Sequence, residues 1–209
     1  MSVPTLTSRV VPASADEDRL GNRSVDGAEL IVLADGAGGT TGGRQAADRI
    51  VGYRFGSLRG PLDCVEDLRR LDDELASDPS CGESTAVLLV VRDGKVFGAS
   101  VGDSGAWALT VDGVLDVTER QRRKPLLGSG EAEPVGFGPL LFNDRVLVAS
   151  DGLLKYAARE RIRRSTFIED IDAAADELVA AARLPSGLLQ DDLSLVIVQP
   201  PRLTSRISR

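Results

Sequence analysis

A chain of 209 residues with 42% hydrophobic and 27% charged side chains has the balance of a folded protein with one substantial core, which sets disorder aside. Its net charge of −7 argues against nucleic acid as the main partner, because phosphates need a basic surface. With no histidine at all, Ser-His-Asp, Cys-His and phosphohistidine chemistry are excluded in their usual forms, and zinc gives way to hard cations held by oxygen ligands.

The chain opens on Met1-Ser2-Val3-Pro4-Thr5, which has no apolar run of signal-peptide length, and no later stretch is long enough to span a bilayer. The reading is a cytoplasmic protein with no membrane partner. Residues 3–13 and 19–26 read as weak strands on either side of Asp16-Glu17-Asp18. That acidic run begins like a calcium loop, with Gly21 in place, but Gly27 stands where the bidentate Glu belongs, so an EF-hand is rejected. Residues 29–34, Glu-Leu-Ile-Val-Leu-Ala, then form an apolar run that predicts a buried strand ending at Asp35. Gly36, Gly38 and Gly39 let the chain turn sharply and leave a backbone carbonyl beside the carboxylate. A metal ligand and an ordinary Asp-Gly turn account for this segment equally well. A dinucleotide fingerprint does not, since its last glycine falls on Thr41.

Helices are predicted over 43–56 and 61–77, the second opened by Pro61. Cys64 and Arg70 have the Cys-x5-Arg spacing of a thiolate phosphatase, but the intervening Val65-Glu66-Asp67-Leu68-Arg69 is acidic and has no glycine. Leu62, Val65, Leu68, Leu71 and Leu75 recur at helical spacing instead, which puts Cys64 near an apolar helix face. A disulfide to Cys81 is not expected in the cytoplasm. Residues 84–92, 95–101 and 104–110 are rich in β-formers and predict an antiparallel meander, with hairpin turns at Asp93-Gly94 and at Gly102-Asp103. Residues 118–144 read as loop. A strand over 145–150 ends at Asp151-Gly152 and leads into a short helix, and Ile168, Ile171, Ala175, Leu178, Val179 and Ala182 mark a longer one. Asp191-Asp192 leads into a last strand over 193–198, followed by a frayed tail from 200. This order lacks the strict alternation of a parallel α/β fold and predicts an α+β sandwich of antiparallel sheets in a single domain, 1–199.

Six segments, in order, resemble the PPM (type 2C) family of metal-dependent serine/threonine phosphatases. They are Glu17-Asp18, Ala34 to Gly39, Gly82 to Ala86, Val101 to Ser104, Ala149 to Gly152 and Asp191 to Ser194. The resemblance implies an α-β-β-α sandwich, two mainly antiparallel sheets flanked by helices, with two Mn2+ or Mg2+ ions in a cleft at one end. Carried over position by position, Asp35 would bridge the two metals, the Gly36 carbonyl would bind one, and Asp151 and Asp191 the other. Glu17 and Asp18 would hold metal-bound waters or a metal directly, and Asp103 would serve a third, weaker ion. Asp18 and Asp35 are then the residues closest to the chemistry, which is direct attack on phosphorus by a metal-bridging hydroxide.

The departures from the family pattern are specific. Thr40 stands where many members carry a His that acts as general acid. The region near Ala13 is apolar where many carry a phosphate-binding Arg, for which Arg19 or Arg44 are the candidate substitutes. Gly105 replaces a structural Arg. The short stretch between Asp103 and Asp151 leaves little for a lid. Compact bacterial members of this kind resemble stress-response and sporulation phosphatases, which implies a phosphorylated regulatory protein as substrate; the alternative is a catalytically silent PPM-like module that binds a signalling partner.

Overall fold

Ten strands and five helices make up a computed structural model that describes residues 4–13, 15–37, 42–110 and 113–201. Thr40, and the tail beyond position 201, lie outside the described residues.

The central strands are apolar along their whole length because both of their faces are covered. β3 (Ala28–Asp35), β4 (Ala86–Arg92) and β5 (Lys95–Val101) pair side by side, with β2 (Asp18–Val25) on one edge and β8 (Val135–Leu141) on the other. The second sheet runs β1 (Thr5–Val11), β10 (Leu193–Gln199), β9 (Val146–Ala149), β6 (Gly105–Thr110), β7 (Gly113–Asp116). Every pairing in both sheets is antiparallel. Alternate side chains of each strand enter different cores, as the two-residue period requires. Ile31 and Leu33 of β3 face Val148, Val196 and Val198 of the other sheet. Leu30, Val32 and Ala34 point outward to α1 (Gly43–Gly52) and α2 (Pro61–Ala76). On the far side, Leu195 and Ile197 pack with Leu153 of α3 (Asp151–Leu154), Ile162 of α4 (Arg159–Thr166) and Leu178 of α5 (Ile171–Ala182). Three cores thus separate four layers, helices, sheet, sheet and helices, which is the sandwich expected from the sequence. Among the described residues no helix is long and apolar enough to cross a membrane.

Four local expectations are corrected. The meander does not form, because β6 leaves the sheet of β4 and β5 and pairs with β9 and β7. The Gly102 N–H donates to the Arg122 carbonyl rather than back across a hairpin, so Asp103 sits on a crossing between sheets. The edge of β5 is taken by β8, a strand inside the stretch read as loop, and β8 is tied down by its surroundings. Buried Asp72 of α2 accepts the N–H groups of Gly128, Gly130 and Ala132 at 2.7, 3.1 and 2.8 Å. α1 stops at Gly52 rather than 56, because Tyr53 turns extended at its end and Phe55 and Leu58 are drawn into the core. Leu62, counted on the apolar face of α2, is 77% exposed, whereas Val65, Leu68, Leu71 and Leu75 are buried as read.

Candidate functional site

The acidic positions meet at one end of the sandwich, where the two sheets abut. Asp18, the first residue of β2, is in direct register with Asp35, the last of β3. Asp18 is 2% exposed, and its Oδ2 accepts from the Ser150 hydroxyl at 2.8 Å. Ser150 lies between β9 and α3, and its Oγ also accepts the Ser194 N–H of β10 at 2.9 Å. One hydroxyl therefore ties an acid of the first sheet to two strands of the second. The other Asp18 oxygen, Oδ1, is buried with no partner, a costly state for a carboxylate unless a cation or a proton satisfies it.

The loops close around this pair. The Asp35 N–H donates to Thr85 Oγ1 at 3.2 Å, while its carbonyl accepts from Ser84 Oγ and the Thr85 N–H, each at 2.9 Å. Gly36 packs so tightly against the start of α1 that a Cβ would stand 2.5 Å from the Gly43 carbonyl carbon. Its N–H donates to the Glu17 carbonyl at 3.3 Å. Asp192 holds the approach to β2, Oδ1 accepting the Ala13 N–H at 2.6 Å and Oδ2 the Glu17 N–H at 2.8 Å. Gly152 follows Asp151 because any side chain there would collide with the Asp192 carbonyl, 1.9 Å from the position of a Cβ. That contact seats Asp151 beside Asp191.

The electrostatics report the same convergence. Burial, then the charges of Asp18, Asp151 and Asp191, push the Asp35 carboxyl up to about 9. Burial is also the main cause lifting Asp18, to about 6, against the hydrogen bonds of Ser150 and Ser194. Asp151 is raised by burial, Asp103 and Asp191, and Glu17 by burial, Asp192 and Asp191. The two carboxyls share one buried place and cannot ionise together cheaply.

Glu17, Asp18, Asp35, Gly36, Asp151 and Asp191 are thus brought to one place, with Asp103 at its margin beside Asp151. Arg19 and Arg44 are engaged elsewhere. Arg19 reaches Asp48 at 2.5 Å and the carbonyls of Asp16 and Asp18, and Arg44 pairs with Asp16 at 3.0 Å. The cations beside the acids are ones the sequence reading did not single out, Arg123 at 2.8 Å from Asp103 and Lys155 at 3.8 Å from Asp151. The positioning roles of Ser150 and Asp192 also went unread, though both sit inside motifs that were noted. Cys64 is buried, and burial and the nearby Asp63 and Asp67 push its thiol up to about 12, which is inert chemistry for a nucleophile.

Among the described residues no three acidic or sulfur side chains are gathered tightly enough to hold one ion. The donor set nevertheless fits a hard divalent cation. It consists of carboxylates crowded against one another, with an orphaned buried oxygen on Asp18 and only Arg123 and Lys155 as ion-pair partners among the described residues.

No family model matches the sequence, and no curated protein matches it. Solved structures do. The serine/threonine phosphatase Stp1 from Staphylococcus aureus superposes with a TM-score of 0.78 at 18% identity, over 96% of this chain and 96% of that one. The PPM Ser-Thr phosphatase MsPP from Mycobacterium smegmatis, in complex with cacodylate, gives 0.75 at 18%, over 96% and 100%. The serine/threonine phosphatase PstP/Ppp from Mycobacterium tuberculosis gives 0.74 at 19%, over 95% and 99%. The chain therefore has the fold of the bacterial PPM serine/threonine phosphatases along nearly its whole length.

Proposed function

We propose that this protein is a divalent-metal-dependent phosphatase that hydrolyses phosphoserine and phosphothreonine in a phosphorylated regulatory protein, in bacterial signalling in the cytoplasm. One observation carries the reading: Asp18 and Asp35 face each other in register, both raised first by burial and Asp35 further by the charges of Asp18, Asp151 and Asp191, with a buried Asp18 oxygen left over. Such an arrangement is unfavourable without a cation. The fold supports it too, and the cacodylate of the M. smegmatis phosphatase is a tetrahedral oxyanion like a phosphoryl group.

In this reading Asp35, Asp151 and Asp191, with the Gly36 carbonyl, would hold two Mn2+ or Mg2+ ions, and Glu17 and Asp18 would orient their shell. When bound, the ions would acidify water and neutralise charge on the phosphoryl oxygens. The chain's own work is orientation. Ser150 fixes Asp18, Asp192 fixes Glu17, and the Thr85 and Ser84 contacts fix the backbone of Asp35. Without histidine, the leaving oxygen takes its proton from water or from another group of the site. A third ion at Asp103 would have to displace Arg123.

The decisive assay is hydrolysis of p-nitrophenyl phosphate and a phosphothreonine peptide with Mn2+, with EDTA, and with Asp151→Asn. Turnover should require Mn2+ and fall at least about a hundredfold in the variant, a loss typical of a transition-state charge contact. Activity indifferent to EDTA would overturn the mechanism. The second reading, a silent binding module, is favoured by the engagement of Arg19 and Arg44 away from the site. It predicts Mn2+ binding with no turnover.

A further inference from the structure

We propose that Lys155 and Arg123 bind the phosphoryl oxygens of the substrate, in a cleft beside Asp103 and Asp151 where Gln121 receives the adjoining peptide chain; the assignment rests on the phosphatase reading above. The cleft has a volume of about 370 Å³ and is lined by the acids Asp103, Asp116, Glu119 and Asp151 together with Gln121, Arg123 and Lys155. It opens directly against two of the site's acids.

Three observations carry the assignment. Arg19, mostly buried, is held by Asp48 and by the carbonyls of Asp16 and Asp18, and neither it nor Arg44 lines the cleft. Arg123 and Lys155 are instead more than half exposed, at 74% and 56%, and each reaches its acid by one contact, 2.8 Å to Asp103 and 3.8 Å to Asp151. Exposed ion pairs of this kind are weak and exchange partners readily, so both heads can turn to a phosphoryl group without unmaking any buried structure. Lys155 also leans over the Tyr156 ring, 5.0 Å from its centre, which limits the positions its ammonium samples.

The third observation is Gln121. Its Nε2 donates to the Ser104 carbonyl at 2.7 Å, which fixes the amide plane. Its Oε1 is then buried with no partner, in a residue that lines the cleft. A buried acceptor left alone is unfavourable, and it calls for a donor, a role that a main-chain N–H can fill. A phosphorylated residue supplies both halves, oxygens for the two cations and a main-chain N–H for Gln121. p-Nitrophenyl phosphate supplies only the first.

The test uses the whole protein in saturating Mn2+, with binding of inorganic phosphate measured by calorimetry beside the kinetics of both substrates. Lys155→Ala and Arg123→Ala should each weaken phosphate binding and raise KM by about three- to tenfold, the range expected of single exposed charge contacts. The double variant should lose more than either, and Lys155→Arg should retain most of the affinity. Gln121→Ala should raise KM for the peptide at least about threefold more than KM for p-nitrophenyl phosphate. Mn2+ affinity and melting temperature, measured on the same samples, should not weaken. Wild-type turnover with phosphate affinity unaltered in the double variant would sink the cation pair while leaving the phosphatase reading intact. Absence of turnover in the wild type would overturn that reading and this assignment with it.

Discussion

Replacing Asp35 by asparagine is expected to stabilise the metal-free protein while abolishing its affinity for Mn2+. Asp18 and Asp35 are directly opposed on neighbouring strands, which puts their side chains about 5 Å apart. Two full charges at that distance repel by about 3 kcal/mol at an effective dielectric of 20. The folded protein avoids this by keeping Asp35 protonated up to about 9, against an ordinary value of 3.8. The sign follows from proton counts. Between those limits the native state holds a proton that the unfolded chain has released, so stability falls as pH rises through that window and the cost vanishes below it. Asparagine carries no such cost. Its gain should be small at pH 4 and a few kcal/mol at pH 8, with an upper bound of about 6 kcal/mol from the roughly four pH units between the two values, each kcal/mol raising the melting temperature by about 2–4 °C for a chain of this size. The assay is thermal melting in EDTA at pH 4, 6 and 8, repeated with Mn2+, which should reverse the order at pH 8 by stabilising only the wild type. An asparagine variant that melts no higher than wild type at pH 8 in EDTA, or that gains more at pH 4 than at pH 8, would refute the reasoning.

Asp72→Ala removes the acceptor of three loop N–H groups and should cost about 3–5 kcal/mol by denaturant unfolding; a loss under 1 kcal/mol would mean the 128–132 loop is held by something else. Asp192→Ala frees the N–H groups of Ala13 and Glu17, and should lower stability by about 2–4 kcal/mol and weaken Mn2+ binding in calorimetry, because Glu17 loses its anchor. Cys64, with its thiol pushed up to about 12, should resist iodoacetamide at pH 8 until denaturant is added, and Cys64→Ala should turn over p-nitrophenyl phosphate like wild type. Rapid alkylation of the native protein, read by peptide mass, would contradict that burial.

What the sequence revealed depended on how local each signal was. The strand ending at Asp35 was legible because residues 30–34 are buried on both faces and the glycines after it mark a stop. Asp151-Gly152 and Asp191-Asp192 were legible for the same reason, as strand boundaries with a carboxylate at each. β8 was not, because Gly136, Gly138 and Pro139 mask an edge strand whose half-exposed face carries little apolar pattern. α4 was missed because Arg159–Thr166 is mostly charged and buries little beyond Ile162, Ser165 and Thr166. The false meander came from reading Gly102-Asp103 as a hairpin. Turn chemistry reports that a chain bends, whereas the choice of sheet is made by the cores, with Ala106 entering one and Trp107 and Leu109 another. Arg123 and Lys155 gave no signal in sequence at all, since what distinguishes them is nearness to acids whose convergence only the folded chain shows.

The position of the site at the seam of the two sheets also explains how so much like charge is tolerated. Asp18 belongs to one sheet, yet its hydrogen bond is to Ser150 at the end of a strand of the other, and Ser150 is held in turn by Ser194. Glu17 is held by Asp192 in the same crosswise manner. The carboxylates that repel are therefore not the groups that gather them: neutral hydroxyls, backbone amides and Asp192 do that. Folding can then impose the crowding whether or not a cation is present, and the strain stays local to the acids. Substitutions at the ties and at the acids should accordingly have opposite effects on the metal-free protein. Loss of Asp192 should weaken the fold and loss of charge at Asp35 should strengthen it, although both diminish the affinity for a cation.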